Sequence, residues 1–248
     1  MKSDTLEILY EDKHILVCVK PHGIATQSKR IGTPDMVSLL KNHIYQNSSW
    51  STSDKGEPYL AVIHRLDQPV KGILVFAKTP FAARELNRQL QSQGFGKYYR
   101  ALVDGQPPQE EDTLENYMVK DARTNTSRIC TPDTSGAKIA RLHYTVVKKG
   151  QGYFKKGHPD SNWGRGKLQF PLSPTELDIQ LDTGRHHQIR VQLANIGCPI
   201  IGDTKYNQHC KDFSDWQEIR LCAYRLDFQH PKTHTMMHFN LQKGTGQI

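Results

Sequence analysis

Short apolar runs separated by polar turns recur along the first hundred residues and predict β-strands. Two such runs, with Glu-Asp-Lys between them, lie at residues 6–20 and are typical of a β-hairpin, which the KPHG turn at residues 20–23 would end. Further apolar runs predict strands at residues 60–63, at GILVFAKT (72–79) and at KYYRALVDG (97–105).

Three segments repeat their apolar residues at helical spacing. They lie at residues 36–46, 79–92 and 186–196, and Thr79 and Pro80 suit the N-cap and the first position of the second helix. Strands and isolated helices alternate without a regular βαβ rhythm. The pattern therefore predicts an α+β fold with a mixed sheet rather than a doubly wound one, as a single two-lobed domain over residues 1–248.

One long segment departs from this pattern. Residues 148–167, KKGQGYFKKGHPDSNWGRGK, are rich in glycine and contain six lysines and arginines together with the aromatic residues Tyr153, Phe154 and Trp163. Cations that meet phosphates and rings that stack on bases suit a nucleic-acid strand. A solvated, flexible insertion is the alternative.

The composition narrows the class of partner. The chain has 248 residues, 36% of them hydrophobic, a net charge of +8 and a pI near 9.2. An excess of basic residues without an apolar run of membrane-spanning length favours a polyanionic partner such as nucleic acid, with a basic surface kept for solubility as the alternative. The N-terminal residues do not resemble a secretory signal, so we expect a cytoplasmic protein.

The sequence gives little support to cofactors or metals. Five scattered cysteines, never spaced C-x-x-C, predict reduced thiols rather than disulfides or a zinc site. His186 and His187 are adjacent, and neighbours on a helix point in different directions. The histidines at 230, 234 and 238 fit the polar face of a strand. The phosphate-binding glycine motifs and the G-x-S-x-G elbow are absent from the sequence.

Asp67, in the stretch IHRLDQP, has two interpretations. It fits a turn before Gln-Pro, and it also fits a catalytic carboxylate, since a buried strand follows and Arg65 lies two residues before it. Arg190 is a candidate partner. If it reached Asp67, its guanidinium would keep that carboxylate ionised. The turn that contains Arg185, ahead of the third helix, suits a phosphate.

Three motifs together resemble those of the RluA-type RNA pseudouridine synthases. HRLDQPVKGILVFAKT is similar to the family's H-R-L-D-x-x-T-S-G-L loop and strand, and KYYRALVDG to its K-x-Y-x-A-x-V-x-G strand. LDTGRHHQIRVQLANIGCPIIGDTKY is similar to its T-G-R-x-H-Q-I-R-V-H-L…G-x-P-I-x-G-D-x-x-Y segment. The opening residues also look like the family's first strands, so the resemblance covers nearly the whole chain.

The resemblance implies a pseudouridine synthase catalytic fold, with a mixed, mainly antiparallel central sheet flanked by helices and loops. Asp67 matches the essential aspartate, Tyr99 the tyrosine that packs on the uracil, and Arg190 the basic partner of the aspartate. Arg65 matches an arginine that opens the RNA and holds the flipped nucleotide. We expect RNA contacts from His64, Lys97 and Arg185 as well.

The chain also departs from the family pattern. Val70 and Lys71 replace a frequent Thr-Ser, and Gln192 replaces a frequent His, which puts the choice of substrate in doubt more than activity. We expect no S4 RNA-binding module, because the motifs begin too early, and the basic segment 148–167 is a candidate substitute.

The resemblance implies isomerisation of specific uridines in ribosomal RNA or tRNA, without a metal or an organic cofactor, by a protein that we expect to be a monomer. Asp67 would either attack the nucleotide or remove a sugar proton, and the sequence does not choose between these routes. A catalytically silent RNA-binding protein of the same fold is the main alternative. A metal-dependent nuclease would need clustered carboxylates or spaced ligands, which the sequence lacks.

Overall fold

The computed structural model describes residues 6–28, 32–47, 56–92, 94–149, 174–210 and 218–241. The chain divides into two compact units, the first formed by residues 1–97 and 222–247 and the second by residues 98–221. The predicted basic segment 148–167 lies outside the described residues from residue 150 onward.

The first unit is a sheet with two helices. Its strands are β1 (Glu7–Glu11), β2 (Ile15–Lys20), β3 (Ala61–Val62), β4 (Lys71–Ala77), β10 (Leu221–Gln229) and β11 (Met236–Asn240). β4 lies between β2, which is antiparallel to it, and β10, which is parallel. β1 extends the sheet beyond β2, β11 pairs with β10, and β3 pairs with the end of β4. The sheet is thus mixed and mainly antiparallel.

The two helices of the first unit lie close to their predicted bounds. α1 spans Met36–Asn47 and buries Met36, Leu40 and Ile44. α2 spans Pro80–Gln91, and Thr79 caps it by accepting a hydrogen bond from the amide of Ala82 at 3.2 Å. The predicted cap is therefore confirmed. Apolar residues of β2, β4, β10 and α2 form one core cluster, which includes Val17, Val75, Leu86 and Phe228.

The second unit is an antiparallel sheet with one helix. Its strands are β5 (Gly96–Val103), β6 (Glu111–Asp121), β7 (Thr126–Cys130), β8 (Lys138–Lys149) and β9 (Thr175–Leu181), in the spatial order β5-β9-β8-β6-β7. α3 spans Gln188–Asn195 and contacts β6 and β7, and a short 3₁₀ helix follows at Gln208–Cys210. Together the two units confirm the predicted α+β class. No helix in the described part of the chain is long and apolar enough to cross a membrane.

Candidate active site

The IHRLDQP stretch forms the loop between β3 and β4, and Asp67 begins a turn within it. The amide of Val70 donates to the Asp67 carbonyl at 3.0 Å, so the main chain closes this turn. The residue two positions after Asp67 is Pro69, which has no N–H for the side chain to bind. The turn is therefore closed by main-chain atoms, and the Asp67 carboxylate cannot accept a hydrogen bond from the residue two positions on.

Six hydrogen bonds dock this loop onto the turn that follows β2. The buried hydroxyl of Thr26 donates to the carbonyl of Leu66 and accepts from its amide. The carbonyl of Gln68 accepts from Lys20 and from the amide of Gly23, while the Gln68 amide group donates to the Gly23 carbonyl. Because residues on both sides of Asp67 are held, its backbone has little freedom to move.

Lys20 is the most deeply buried cation of this arrangement. Its side chain is inaccessible to solvent and donates to the carbonyls of Pro21, Ile24 and Gln68 at 2.7–3.0 Å. Burial lowers the pKa of Lys20 from 10.5 to about 7, and the charge of Asp67 opposes this shift. The residue thus links the end of β2 to the loop that carries Asp67.

His64 and Arg65 differ in exposure although they are adjacent. Val75 donates its amide proton to His64 Nε2 at 3.3 Å, and burial, with the charge of Lys97, lowers the pKa of His64 to about 3. The imidazole is therefore neutral at physiological pH and supports β4. Arg65 is exposed, and no hydrogen bond or ion pair of its side chain occurs among the described residues.

Lys97 and Tyr99 lie on β5. The division between the two units falls within β5, so Lys97 belongs to the first unit and Tyr99 to the second. Both side chains are buried, and Tyr99 pairs with Ile179 of β9. The pairing with β9 fixes the backbone position of Tyr99, and burial restricts the movement of its side chain.

Arg190 lies on α3 and forms a buried ion pair with Asp203. Its Nε donates to Asp203 Oδ2 at 2.8 Å and its Nη2 donates to Oδ1 at 2.7 Å. The Arg190 side chain is 4% exposed and that of Asp203 is fully buried. A bidentate pair of this kind fixes the plane of the guanidinium and compensates for its desolvation. The sequence pattern had suggested Asp67 as the partner of Arg190, and Asp203 was not anticipated.

The turn before α3 is closed by a side chain. Gln188 Oε1 accepts hydrogen bonds from the hydroxyl of Thr183 and from the amide of Arg185, so α3 begins two residues later than the pattern predicted. Arg185 is half-buried, and its Nε donates to the carbonyl of Ile139 at 2.8 Å. The predicted phosphate site has a structured turn and a cation that is anchored at Nε.

His186 and His187 stack on each other instead of pointing apart. Their ring centroids are 3.7 Å apart, because His187 adopts the left-handed conformation (φ 55°) immediately before α3. The expectation that these two side chains diverge was therefore wrong. No group of three or more potential metal ligands occurs among the described residues. His230 is buried at a turn and bonds Asp12 at 2.9 Å.

The structure brings the predicted residues together in two groups. His64, Arg65 and Asp67 share one loop of the first unit, and Arg185 and Arg190 lie at the start of α3 in the second. Sequence reasoning missed the residues that hold these groups, which are Lys20, Thr26, Asp203 and Tyr206. The KPHGIAT turn and the GDTKY segment were the signals that could have identified them.

Comparison with known proteins gives consistent matches along the chain. A family model described as RNA pseudouridylate synthase matches residues 14–195. A Bacillus subtilis protein named an uncharacterized RNA pseudouridine synthase is 30% identical, over 94% of this chain and 67% of its own length. A Vibrio parahaemolyticus protein named a dual-specificity RNA pseudouridine synthase is 30% identical, over 92% of this chain and 79% of its own length.

A third relative and two solved structures are also similar to this chain. A Nitrosomonas europaea protein named ribosomal large subunit pseudouridine synthase D is 32% identical, over 91% of this chain and 58% of its own length. The structures of human RNA pseudouridylate synthase domain containing 1 and domain containing 4 are similar in fold, with TM-scores of 0.67 and 0.68 at 21% and 19% identity. These alignments cover 96% and 95% of this chain, and 83% and 88% of the human chains. They confirm the fold that the resemblance implied.

Proposed function

This chain belongs to the RNA pseudouridylate synthase family, and we propose that it isomerises specific uridines of structured RNA, either ribosomal RNA or tRNA, as a cytoplasmic monomer. The family match includes the loop of Asp67, the strand of Tyr99 and the helix of Arg190. One similar protein is named a ribosomal large subunit pseudouridine synthase and another a dual-specificity RNA pseudouridine synthase. The substrate class rests on those names and on the basic charge of the chain.

The docked loop of Asp67 is the observation that carries this proposal. A reacting group must be held in a fixed position, since misplacement by about 1 Å can cost about 100-fold in rate. The carbonyls and amides on both sides of Asp67 are bonded to the turn after β2, while Arg65 beside it remains exposed. Lys20, which is fully buried beneath the loop, adds a further hydrogen bond to the carbonyl of Gln68.

The reaction breaks the bond between uracil N1 and ribose C1′ and forms a bond from C5 to C1′. N1 gains a proton and C5 loses one, so atoms and electrons balance without a metal or an organic cofactor. We assign the carboxylate role to Asp67, either as nucleophile or as the base that removes a sugar proton. We assign Arg190 as the basic residue of the reaction centre and Tyr99 as the ring that packs on the free base.

A uridine within a helix must leave the stack before it reacts. Among the proposed RNA contacts, Arg65 is the exposed one, so we assign it the largest share of phosphate or base binding. His64, Lys97 and Arg185 are assigned smaller shares, because their side chains are buried or half-buried. The segment 148–167 is proposed as a further RNA contact. Deletion of this segment should then weaken RNA binding. An unchanged affinity for RNA would contradict the proposal that the segment contacts RNA.

The test is to offer unmodified tRNA and ribosomal RNA separately and to map pseudouridine by carbodiimide labelling and primer extension. We expect discrete stops in one RNA class, at uridines that are unlabelled without the protein. Tight RNA binding with no stops in either class would favour the silent RNA-binding protein and overturn the proposal.

A further inference from the structure

We propose that Tyr206 is a positioning residue for Arg190, and that the turn from Asp203 to Tyr206 holds the guanidinium on two sides. This inference rests on the proposed function, in which Arg190 is the cation of the reaction centre. The edge of the guanidinium is bound by Asp203 at 2.7 and 2.8 Å. Its Cζ lies 5.1 Å from the centroid of the Tyr206 ring, over the face of that ring. A cation at this distance is attracted by the aromatic face.

One short turn supplies both contacts. Oδ1 of Asp203 also accepts hydrogen bonds from the backbone amides of Lys205 and Tyr206 at 3.0 and 3.3 Å. These bonds fix the carboxylate relative to its own turn. Gly202, just before it, has φ +80°, and a Cβ there would lie 2.2 Å from the carbonyl of Glu218. The Asp203 carboxylate and the Tyr206 ring thus lie three residues apart in one turn, and a side chain at Gly202 would not fit in that turn.

The phenol of Tyr206 is anchored at its far end. Its hydroxyl accepts a hydrogen bond from the backbone amide of Ser127 on β7 at 2.8 Å and lies 2.7 Å from Nδ1 of His187. His187 directly precedes α3, the helix that carries Arg190, and its left-handed backbone is unfavourable for a residue with a side chain. Tyr206 therefore contacts α3 at two points. Its hydroxyl contacts His187, just before the helix, and its aromatic face contacts Arg190 within the helix.

The result is a guanidinium that cannot easily rotate or tilt. Its edge is fixed by two hydrogen bonds and its face by a ring that is itself held at the hydroxyl. Preorganised charge of this kind accelerates reactions because no reorganisation is needed when charge develops. Tyr206 therefore acts on the rate of the chemical step through Arg190.

The test compares Tyr206→Leu, which removes the ring face, with Tyr206→Phe, which removes only the anchored hydroxyl. Tyr144→Phe is the matched control, since it removes another buried phenol hydroxyl of the second unit, one that bonds the carbonyl of Gln109. Single-turnover tritium release from RNA labelled at uracil C5 gives the rate, and filter binding gives the RNA Kd. Assays are run well below the melting temperature of each variant.

We expect Tyr206→Leu to lower the single-turnover rate about 100-fold and Tyr206→Phe about tenfold, with an RNA Kd within about threefold of the native value. In an Arg190→Lys background, Tyr206→Leu should lower the rate by less than about threefold more, because residues that act through one group are not additive. Losses that multiply fully, or that are matched by Tyr144→Phe, would overturn the inference.

A second measurement does not depend on activity. The Nε–H resonance of Arg190, assigned by its loss in Arg190→Lys, should be protected from solvent exchange in the native protein and should exchange at least about tenfold faster in Tyr206→Leu. Equal exchange rates would overturn the positioning role. Absence of tritium release by the native protein would instead refute the proposed function, and the exchange rates would still decide the role of Tyr206.

Discussion

Replacement of Lys20 by methionine is expected to change how the stability of the protein depends on pH. The Lys20 ammonium is completely buried beneath the Asp67 loop, and burial lowers its pKa from 10.5 to about 7. Between these two values the unfolded chain binds a proton that the folded protein has released. Acid therefore favours unfolding in this window, and the free energy of unfolding rises with pH from about 7 to about 10.5.

The size of the effect follows from the two pKa values of Lys20. Each pKa unit corresponds to about 1.4 kcal/mol, and integration from pH 7.5 to 9.5 gives a gain of about 2.5 kcal/mol for the native protein relative to Lys20→Met. The two chains share every other titrating group, so this difference isolates Lys20. Methionine is unbranched like lysine and fills much of the same space, which limits cavity effects.

Equilibrium urea unfolding at pH 7.5, 8.5 and 9.5 measures this difference. Lys13→Met is the control for the loss of a lysine side chain, because Lys13 is exposed at the turn between β1 and β2. A Lys20→Met difference that stays constant from pH 7.5 to 9.5 would show that Lys20 holds its proton equally in both states, and would refute the reasoning.

Two further predictions concern the loop of Asp67 and the strand after it. Gly72→Ala should lower the free energy of unfolding by about 3 kcal/mol in urea titrations, because Gly72 has φ +149° and a Cβ would lie 2.5 Å from Ala223; a loss below about 1 kcal/mol would contradict this close packing. Arg65→Ala should weaken RNA binding about tenfold and should reduce the slope of log Kd against log salt concentration by the amount expected for about one phosphate contact. Lys13→Ala is the control at an exposed lysine. Unchanged affinity and salt slope would remove Arg65 from the RNA interface.

Local patterns predicted the elements whose apolar residues lie close in sequence. The hairpin of β1 and β2, the helices α1 and α2, and the strands β4 and β5 all matched, and Thr79 capped α2 as expected. The strands β6 to β8 were not predicted. Their outward positions hold charged residues such as Glu111, Glu115 and Arg141, so short apolar runs are missing there. Alternation at period two was the signal available in those strands.

The supports of the candidate site could not be read from local patterns, because they depend on contacts between distant residues. Lys20 meets Gln68 and Thr26 meets Leu66 only when the loop docks on the turn after β2. The pairing of Arg190 with Asp203 joins a helix to a turn 13 residues later. The resemblance to a family suggested which residues react, which stays a prediction, whereas the structure was needed to find what holds those residues.

The most direct measurement is tritium release from RNA labelled at uracil C5, with the native protein and with Asp67→Asn at equal concentration. The amide is nearly the same size as the carboxylate and keeps the main-chain turn of Asp67 and Val70, so the variant should fold and bind RNA with a similar Kd. Loss of the carboxylate as nucleophile or base should lower the rate by at least about 1,000-fold. Release by Asp67→Asn at a rate close to that of the native protein would contradict the assignment of Asp67 as the catalytic carboxylate.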